Sequence, residues 1–367
     1  MAELIIQAEK IKSNIAKLNT YFDAHAIQWS LITKVFSGDP EMMTLLLTDE
    51  LTEKIHSIGD SRLTSLKNIK AIQPNLRTIY IKPPAAMYAD EVVAYADVSL
   101  NSSVATIQAL NTAAAKAGKI HEVIIMIELG ELREGILCED ILAFYETVFQ
   151  LPNIRVTGIG SNLGCMYGVE PTYDKLLQLS LYKNLIALKF NKALTLLSGG
   201  TSITLPLHQQ GKVPQEINHF RIGEAAFFGT SPLDGSHFLD LHTDTFRFRA
   251  NIIELEEKEH VPDGTIGDAN IGHTRELNQH PQAGTTWKAI LDFGLIDVDQ
   301  ANLVIDNANA GVEFVGITSD MTVIDLGKNS NDGEKPRYKV GDQIEFIPNY
   351  MGVVRLLNSK FIDKRFE

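Results

Sequence analysis

The sequence predicts an α/β chain: a (β/α)8 TIM-type barrel over residues 1–235, followed by a mostly antiparallel β domain over 236–367. Three observations carry this. Residues 1–235 alternate short apolar runs with segments of helical period, which is the signature of parallel βαβ units. There are eight such runs, the number that closes a barrel. Beyond residue 235 the runs alternate with period two between Gly/Asp/Asn turns, and no clear amphipathic helix is expected there.

The eight runs are Gln28–Thr33, Lys54–Ile58, Arg77–Lys82, Ala96–Leu100, Glu122–Glu128, Ile154–Ile159, Ala193–Leu197 and Ile217–Arg221. Helical period occupies Ala8–His25, Pro40–Leu51, Val104–Ala117, Glu139–Gln150 and Thr172–Leu188. In the second domain, strands are expected from Phe246, then at Lys288–Asp292, Val312–Ile317, Met321–Leu326 and Gln343–Pro348. The polar stretch His260–Gly284 and the segment Lys328–Pro336 read as loops. His273, His280 and the remote His260 fit no metal template, so no metal site is expected.

A length of 367 residues suits two domains, or one large barrel with an appendage. The formal net charge of −13 argues against partners that need a basic patch, nucleic acid or an anionic membrane. Two cysteines, Cys138 and Cys165, make neither a disulfide framework nor a zinc quartet. No run reaches the roughly 18 apolar residues of a membrane span, and the N-terminus lacks a secretory pattern, so the expected location is cytoplasmic.

Five unusual motifs fall at the carboxyl ends of barrel strands, the face where such barrels do their chemistry. Lys34 ends the first strand. A lysine desolvated there has a lowered pKa and becomes a nucleophile, although a lone lysine is more often a surface residue. Glu128-Leu-Gly-Glu131-Leu-Arg133-Glu-Gly135 follows the fifth strand, and Gly158–Gly168, with Asn162, follows the sixth. Ser198-Gly-Gly200-Thr201-Ser202 follows the seventh, and Arg221-Ile-Gly223-Glu224 follows the eighth and opens a short helical run.

The loops after the last two strands are the common phosphate site of this architecture. Hydroxyls, close backbone approach and free N–H groups at a helix start favour an anion there, with the Glu224 side chain turned away. Arg133 can bind a carboxylate bidentately, or else form a rim salt bridge with Glu128 or Glu131. Arg221 directly follows an apolar strand, so it is expected partly buried and in need of a partner. An amine, an anion cradle and two arginines together suit a phosphate-bearing aldehyde, pyridoxal phosphate.

The chain resembles the fold-type III pyridoxal-phosphate enzymes of the alanine racemase group. It is most similar to the ornithine/alanine racemase-like branch. The resemblance rests on Thr33-Lys34-Val-x-x-Gly38-Asp39-Pro40, Gly59-Asp60-Ser61-Arg62, Glu128-Leu-Gly-x-Leu-Arg133-Glu-Gly135, Asn162-Leu-Gly164, Ser198-Gly-Gly200 and Asn218-His-x-Arg221-Ile-Gly223-Glu224-Ala225. It implies that Lys34 is the Schiff-base lysine and one of two proton carriers, and that Arg221 donates to the pyridine nitrogen. It also implies that Arg133 lies near the substrate carboxylate and Asn162 beside the ring. Ser198, Gly200, Thr201, Ser202, Gly223 and Glu224 would line the cofactor. The implied activity is racemisation of an amino acid, of ornithine or alanine type, by a head-to-tail homodimer.

Two departures bear on mechanism. The resembling enzymes carry a Tyr four residues after the lysine, where this chain has Gly38. They place a second Tyr in a Gly-Tyr-x-Asp segment, where this chain reads Asp292-Phe-Gly294-Leu295-Ile-Asp297. Racemisation needs an acid/base on each face of Cα. Candidates for the second are Tyr350, Asp320, Tyr167 and Cys165, the last expected to be a small buried thiol. A one-base lyase or aldolase, or a non-catalytic carrier of the cofactor, are the competing expectations.

Overall fold

A computed structural model of the chain describes residues 1–267, 271–274, 284–309, 311–328, 330–331 and 336–367. It resolves into two compact units, residues 9–243 and residues 1–8 with 244–367.

The first strand, β1 (Glu3–Ile6), belongs to the second unit and is described with it. In the first unit, β2 (Gln28–Ile32), β3 (Ser57–Asp60), β4 (Thr78–Tyr80), β5 (Val98–Asn101), β6 (His121–Met126), β7 (Ile154–Gly160), β8 (Leu196–Thr201) and β9 (His219–Ile222) form a closed parallel barrel in sequence order. All eight expected runs therefore lie in it. Closure is made by β2 against β9, with Gln28 opposite His219 and Ser30 opposite Arg221.

Strand alternation sorts the side chains between the surrounding helices and the lumen. Trp29 and Phe220 face outward and pack on Phe22 of the helix Ala8–Ala24, with ring centroids 5.5 and 6.1 Å away. That helix buries Ile11, Ile15, Leu18 and Phe22 along one stripe. Inside the lumen, Ile79, Val98, Leu100, Ile124, Met126 and Leu196 make one apolar cluster, with Ile81 against it. Across from it stand Ser30, Ser57, Ser198, His219 and Arg221, all buried.

Among the described residues the second unit forms a nine-stranded sheet. It contains β1, β10 (Phe246–Glu259), β11 (His273–Thr274), β12 (Thr285–Leu291), β13 (Leu303–Ile305), β14 (Glu313–Ile317), β15 (Thr322–Gly327), β16 (Gln343–Pro348) and β17 (Asp363–Phe366). The first half of β10 pairs with β1 and β16, and its second half pairs with β12 after an irregularity at Ile252/Glu254. Phe248, Phe293 and Phe346 form its aromatic core, with centroids 5.0–5.9 Å apart.

The structure divides the chain at 243/244 rather than 235/236, and β1 joins the C-terminal sheet. Its Leu4, Ile5 and Ile6 are buried, and β1 pairs with β10 on one edge and β17 on the other. A helix, Tyr350–Asn358, corrects the expectation that the second domain lacks one. Asn349 caps it by accepting from Gly352 N at 2.8 Å. With Val353 and Leu356 as its main apolar anchors, it is too short for its period to stand out in sequence.

His273 opens the short strand β11 and lies 3.4 Å from Asp299, while His280 is outside the described residues. Residues 329 and 332–335 of the expected loop Lys328–Pro336 are also outside them. Among the described residues no helix is long and apolar enough to cross a membrane.

Candidate active site

Lys34 follows β2 directly. The chain passes through buried Thr33 into a single turn, Lys34–Phe36, anchored by buried Val35 and Phe36. Ser37 and Gly38 then take positive φ of 51° and 71°. A Cβ on Gly38 would stand 2.6 Å from the Ser65 Cα, so position 38 has no room for a tyrosine. Lys34 is exposed in the chain, rather than desolvated as expected. The carboxyl groups of Asp60 and Glu224 feel its charge.

Asp60, at the end of β3, is fully buried. One of its oxygens accepts from Arg62 N at 2.8 Å, and the other has no hydrogen-bond partner. Burial pushes its carboxyl up to about 6, against the opposing pull of backbone N–H groups and Lys34. Glu224 is also raised by burial, with Lys34 acting the other way. Glu224 thus contributes its carboxylate to the surroundings of Lys34 as well as backbone to the loop.

Arg221 is 3 % exposed. Its guanidinium donates to Ser198 Oγ, to Ser161 O at 2.9 Å and to Asn162 Oδ1 at 2.6 Å. All three acceptors are neutral. Burial lowers its pKa to about 10, which still leaves it fully charged at neutral pH. The Asn162 amide donates to Glu134, and Glu134 also receives both Nε and Nη2 of Arg133, the latter at 2.7 Å. The Arg133 guanidinium therefore pairs with its neighbour Glu134, while the Glu128 carboxylate accepts from the Arg133 backbone N–H at 3.0 Å. Its Nη1 lies against Cys165 Sγ. Cys165 is exposed, contrary to the expectation of a buried thiol.

Glu131 has a different task. It is 2 % exposed, and its carboxylate accepts from the backbone N–H of Cys165, Met166, Tyr167 and Val169 at 2.6–3.2 Å. Burial alone would raise its pKa, but these four donors outweigh it and the carboxyl is lowered. The loops after β6 and β7 are thereby clipped together, and Tyr167 is held exposed on the second.

The loops after β8 and β9 are joined as well. Ser202 Oγ accepts from Ala225 N at 3.1 Å, which leaves its own hydroxyl proton available. Gly200 has φ +112°, and a Cβ there would be 2.8 Å from Thr204 Oγ1. Gly223 precedes the short helix Glu224–Phe228 and caps it without a side chain. A Cβ on Gly223 would come 3.0 Å from Ile32 O, so backbone crowds the end of the Lys34 strand. Hydroxyls and bare backbone at this corner, with the Lys34 amine and Arg221 on the neighbouring strands, form a donor set that fits pyridoxal phosphate.

Tyr350 and Asp320 lie in the sheet unit. Tyr350 is the half-buried first residue of its helix. Asp320 sits in the turn between β14 and β15, exposed, and accepts from Ser319 Oγ at 3.0 Å. Gly294 packs tightly on the Asp320 backbone, and Asp297 secures that turn through Gly294 N and Ser359 Oγ at 3.2 and 2.6 Å. Sequence reasoning missed two groups, Asp60 and Glu134. Asp60 stands inside the Gly59–Arg62 run, the one signal that could have found it.

A parallel barrel with an amine, an anion cradle and a buried arginine at its carboxyl mouth defines a barrel enzyme of the pyridoxal-phosphate kind. The alanine racemase N-terminal-domain family matches residues 6–232, and the chain belongs to that family. It is 30% identical over 364 residues to an ornithine racemase of Acetoanaerobium sticklandii, covering 99% of this chain and 98% of that one. It is 27% identical over 365 residues to a lysine racemase of Thermotoga maritima, again covering 99% and 98%. Its fold matches alanine racemase from Bartonella henselae, solved with covalently bound pyridoxal phosphate, at a TM-score of 0.72 and 15% identity, over 100% of this chain and 99% of that one. The protein is a pyridoxal-phosphate-dependent amino-acid racemase.

Proposed function

We propose that this racemase acts on a basic amino acid, ornithine or lysine, with Lys34 as the cofactor's lysine and the proton carrier on one face of Cα. The full-length similarity to the ornithine and lysine racemases supports the substrate class over alanine. When bound, pyridoxal phosphate supplies the electron-withdrawing ring that acidifies the substrate Cα–H. The single observation that carries the residue assignment is Arg221, a buried cation whose hydrogen bonds among the described residues go to neutral oxygens. An arginine keeps its proton, so it hydrogen-bonds the ring nitrogen without protonating it. That limits charge build-up in the ring and favours prompt return of a proton to Cα.

In this reading Lys34 Nζ takes the Cα proton from one face in one direction of the reaction and delivers a proton to that face in the other, with Asp60 and Glu224 stabilising its charged form. Arg133, steadied by Glu134, holds the substrate carboxylate. Asn162 lies beside the ring, while Ser198, Gly200, Thr201, Ser202, Gly223 and Glu224 line the cofactor. Tyr350 serves the opposite face of Cα, and Asp320 faces the substrate. The protein works in the cytoplasm as a head-to-tail homodimer in which one protomer's sheet domain completes its partner's site.

Borohydride reduction followed by peptide mapping should place the cofactor on Lys34, and label on another lysine would refute the assignment. Deuterium exchange at Cα across a panel of L-amino acids, with chiral analysis, reads the chemistry. Exchange with inversion on ornithine or lysine is expected. Exchange with retention would mean one base only, and inversion on alanine alone would overturn the substrate class. For the second face, Tyr350→Phe should lose roughly 10²–10⁴-fold, mainly in one direction of exchange. Mixing Lys34→Ala and Tyr350→Phe subunits should restore one site per heterodimer.

A further inference from the structure

We propose that His219 is a positioning residue for Arg221, held by a chain of hydrogen bonds that runs through the barrel lumen to His56 at the amino-terminal end of the strands. Its Nδ1 lies 2.9 Å from Ser198 Oγ, the atom that receives Arg221. Its Nε2 lies 2.9 Å from Ser30 Oγ. Ser30 Oγ is 2.7 Å from Ser57 Oγ, and Ser57 Oγ is 3.2 Å from His56 Nδ1. His219, Ser30 and Ser198 are fully buried and Ser57 nearly so. The chain ends where His56, Arg77, Glu122, Arg155 and Thr157 line a cavity of about 380 Å³.

The direction of the chain follows from counting donors and acceptors. Arginine has donors only, so Ser198 Oγ uses a lone pair on Arg221. Burial, and then the neighbouring His56, Arg221 and Arg77 side chains, hold the His219 imidazole well below its usual pKa, so the ring is neutral, as is His56, which burial lowers to about 4. A neutral ring has one donor and one acceptor. If Nδ1 carried the proton, two donors would converge on Ser198, and its hydroxyl proton would have no acceptor among the described residues. The other tautomer satisfies every group. Ser198 donates to Nδ1, Nε2–H to Ser30, Ser30 to Ser57, and Ser57 to His56.

This polarity matters because a serine hydroxyl is a free rotor. Only when its proton is committed to His219 does its lone pair stay on Arg221. Together with Ser161 O and Asn162 Oδ1, that fixes the plane from which Arg221 presents its remaining N–H groups. The effect on cofactor and reaction rests on the reading of Arg221 given above, whereas the relay itself does not.

Two measurements on the full chain separate them. The first is the ¹⁵N imidazole spectrum of His219, before and after loading with pyridoxal phosphate. The Nε2–H tautomer is expected in both states, and an Nδ1–H or charged ring would overturn the relay. The second is the dissociation constant for pyridoxal phosphate, with the ratio of transamination to racemisation. His219→Leu should weaken binding roughly tenfold and raise that ratio. Ser198→Ala should match it, and the double variant should be no worse.

His219→Asn keeps an acceptor at the Nδ1 position and should restore both readouts, whereas His219→Gln, which reaches only the Nε2 position, should not. Additive losses in the double variant, or an Asn variant as impaired as Leu, would overturn the proposal. If the unaltered chain takes up no pyridoxal phosphate, the reading of Arg221 fails while the tautomer still decides the relay.

Discussion

On β4 to β6 the barrel lumen is hydrocarbon, with Ile79, Val98, Leu100, Ile124 and Met126 in one cluster that Leu196 of β8 joins. On β2, β3, β8 and β9 it holds Ser30, Ser57, Ser198, His219 and Arg221, each satisfied by the next. Both halves use the same inward-facing positions. Apolar packing supplies stability with little directional demand, because burial scales with area. The polar half gains little net stability, since its hydrogen bonds replace those to water. What it provides is orientation: each proton has one place to go. The difference teaches that one half of the lumen supplies packing while the other, which includes the closing strands β2 and β9, orients an arginine.

Four substitutions test that division, beginning with the largest effect. Lys34→Ala, above the polar half, should reduce racemisation by at least roughly 10⁴-fold. Because Lys34 is exposed, the melting temperature of the cofactor-free protein should barely move. A large loss of stability would show that the polar side is structural too. Leu100→Ala, in the apolar half, should cost about 3 kcal/mol in urea unfolding. The affinity for pyridoxal phosphate should be kept once the protein is folded, and a selective loss of affinity would erase the distinction between the halves.

Asp60→Asn sharpens the comparison at the boundary. The folded carboxyl titrates at about 6 against an unfolded value of 3.8. The folded state therefore binds the proton more tightly, and stability falls as pH rises between those values, with the penalty complete above about 6. The variant should stabilise the cofactor-free protein at pH 7 by about 2 kcal/mol, net of one unpaired amide, and flatten that pH dependence. Unchanged pH dependence would mean that Asp60 is solvated. The smallest expected effect is that of Glu131→Gln. It should cost about 1 kcal/mol and raise protease sensitivity at 164–169, with the barrel otherwise intact.

The eight barrel strands were legible because each is an apolar run bounded by turn residues. Arg221 was legible for a related reason: a charge directly after an apolar strand has nowhere to go but inward. Glu134 was not, since neighbouring side chains on a loop point apart unless the turn brings both to one centre, as it does here for Arg133 and Glu134. Asp60 and His219 look in sequence like ordinary polar residues of a strand. The burial of His219 depends on which neighbours the barrel places beside it, Ser30 and Ser198 above all, and those lie 189 and 21 residues away. Four-residue β1 and the nine-residue helix Tyr350–Asn358 are too short for period to identify.

The placement of β1 has a consequence for synthesis. Its partners are β10 on one side and β17 on the other, with Glu3 opposite both Arg249 and Asp363. On the ribosome this apolar strand is made early and its first partner much later, on the order of tens of seconds at usual elongation rates. All eight strands of the barrel emerge in between. The barrel is thus free to close while β1 waits with both edges bare, a template for stray pairing between nascent chains. The strand that begins the sheet is among the last elements to be secured, and a chaperone or ribosome-bound factor that shields Leu4 to Ile6 would act on yield without touching the finished enzyme.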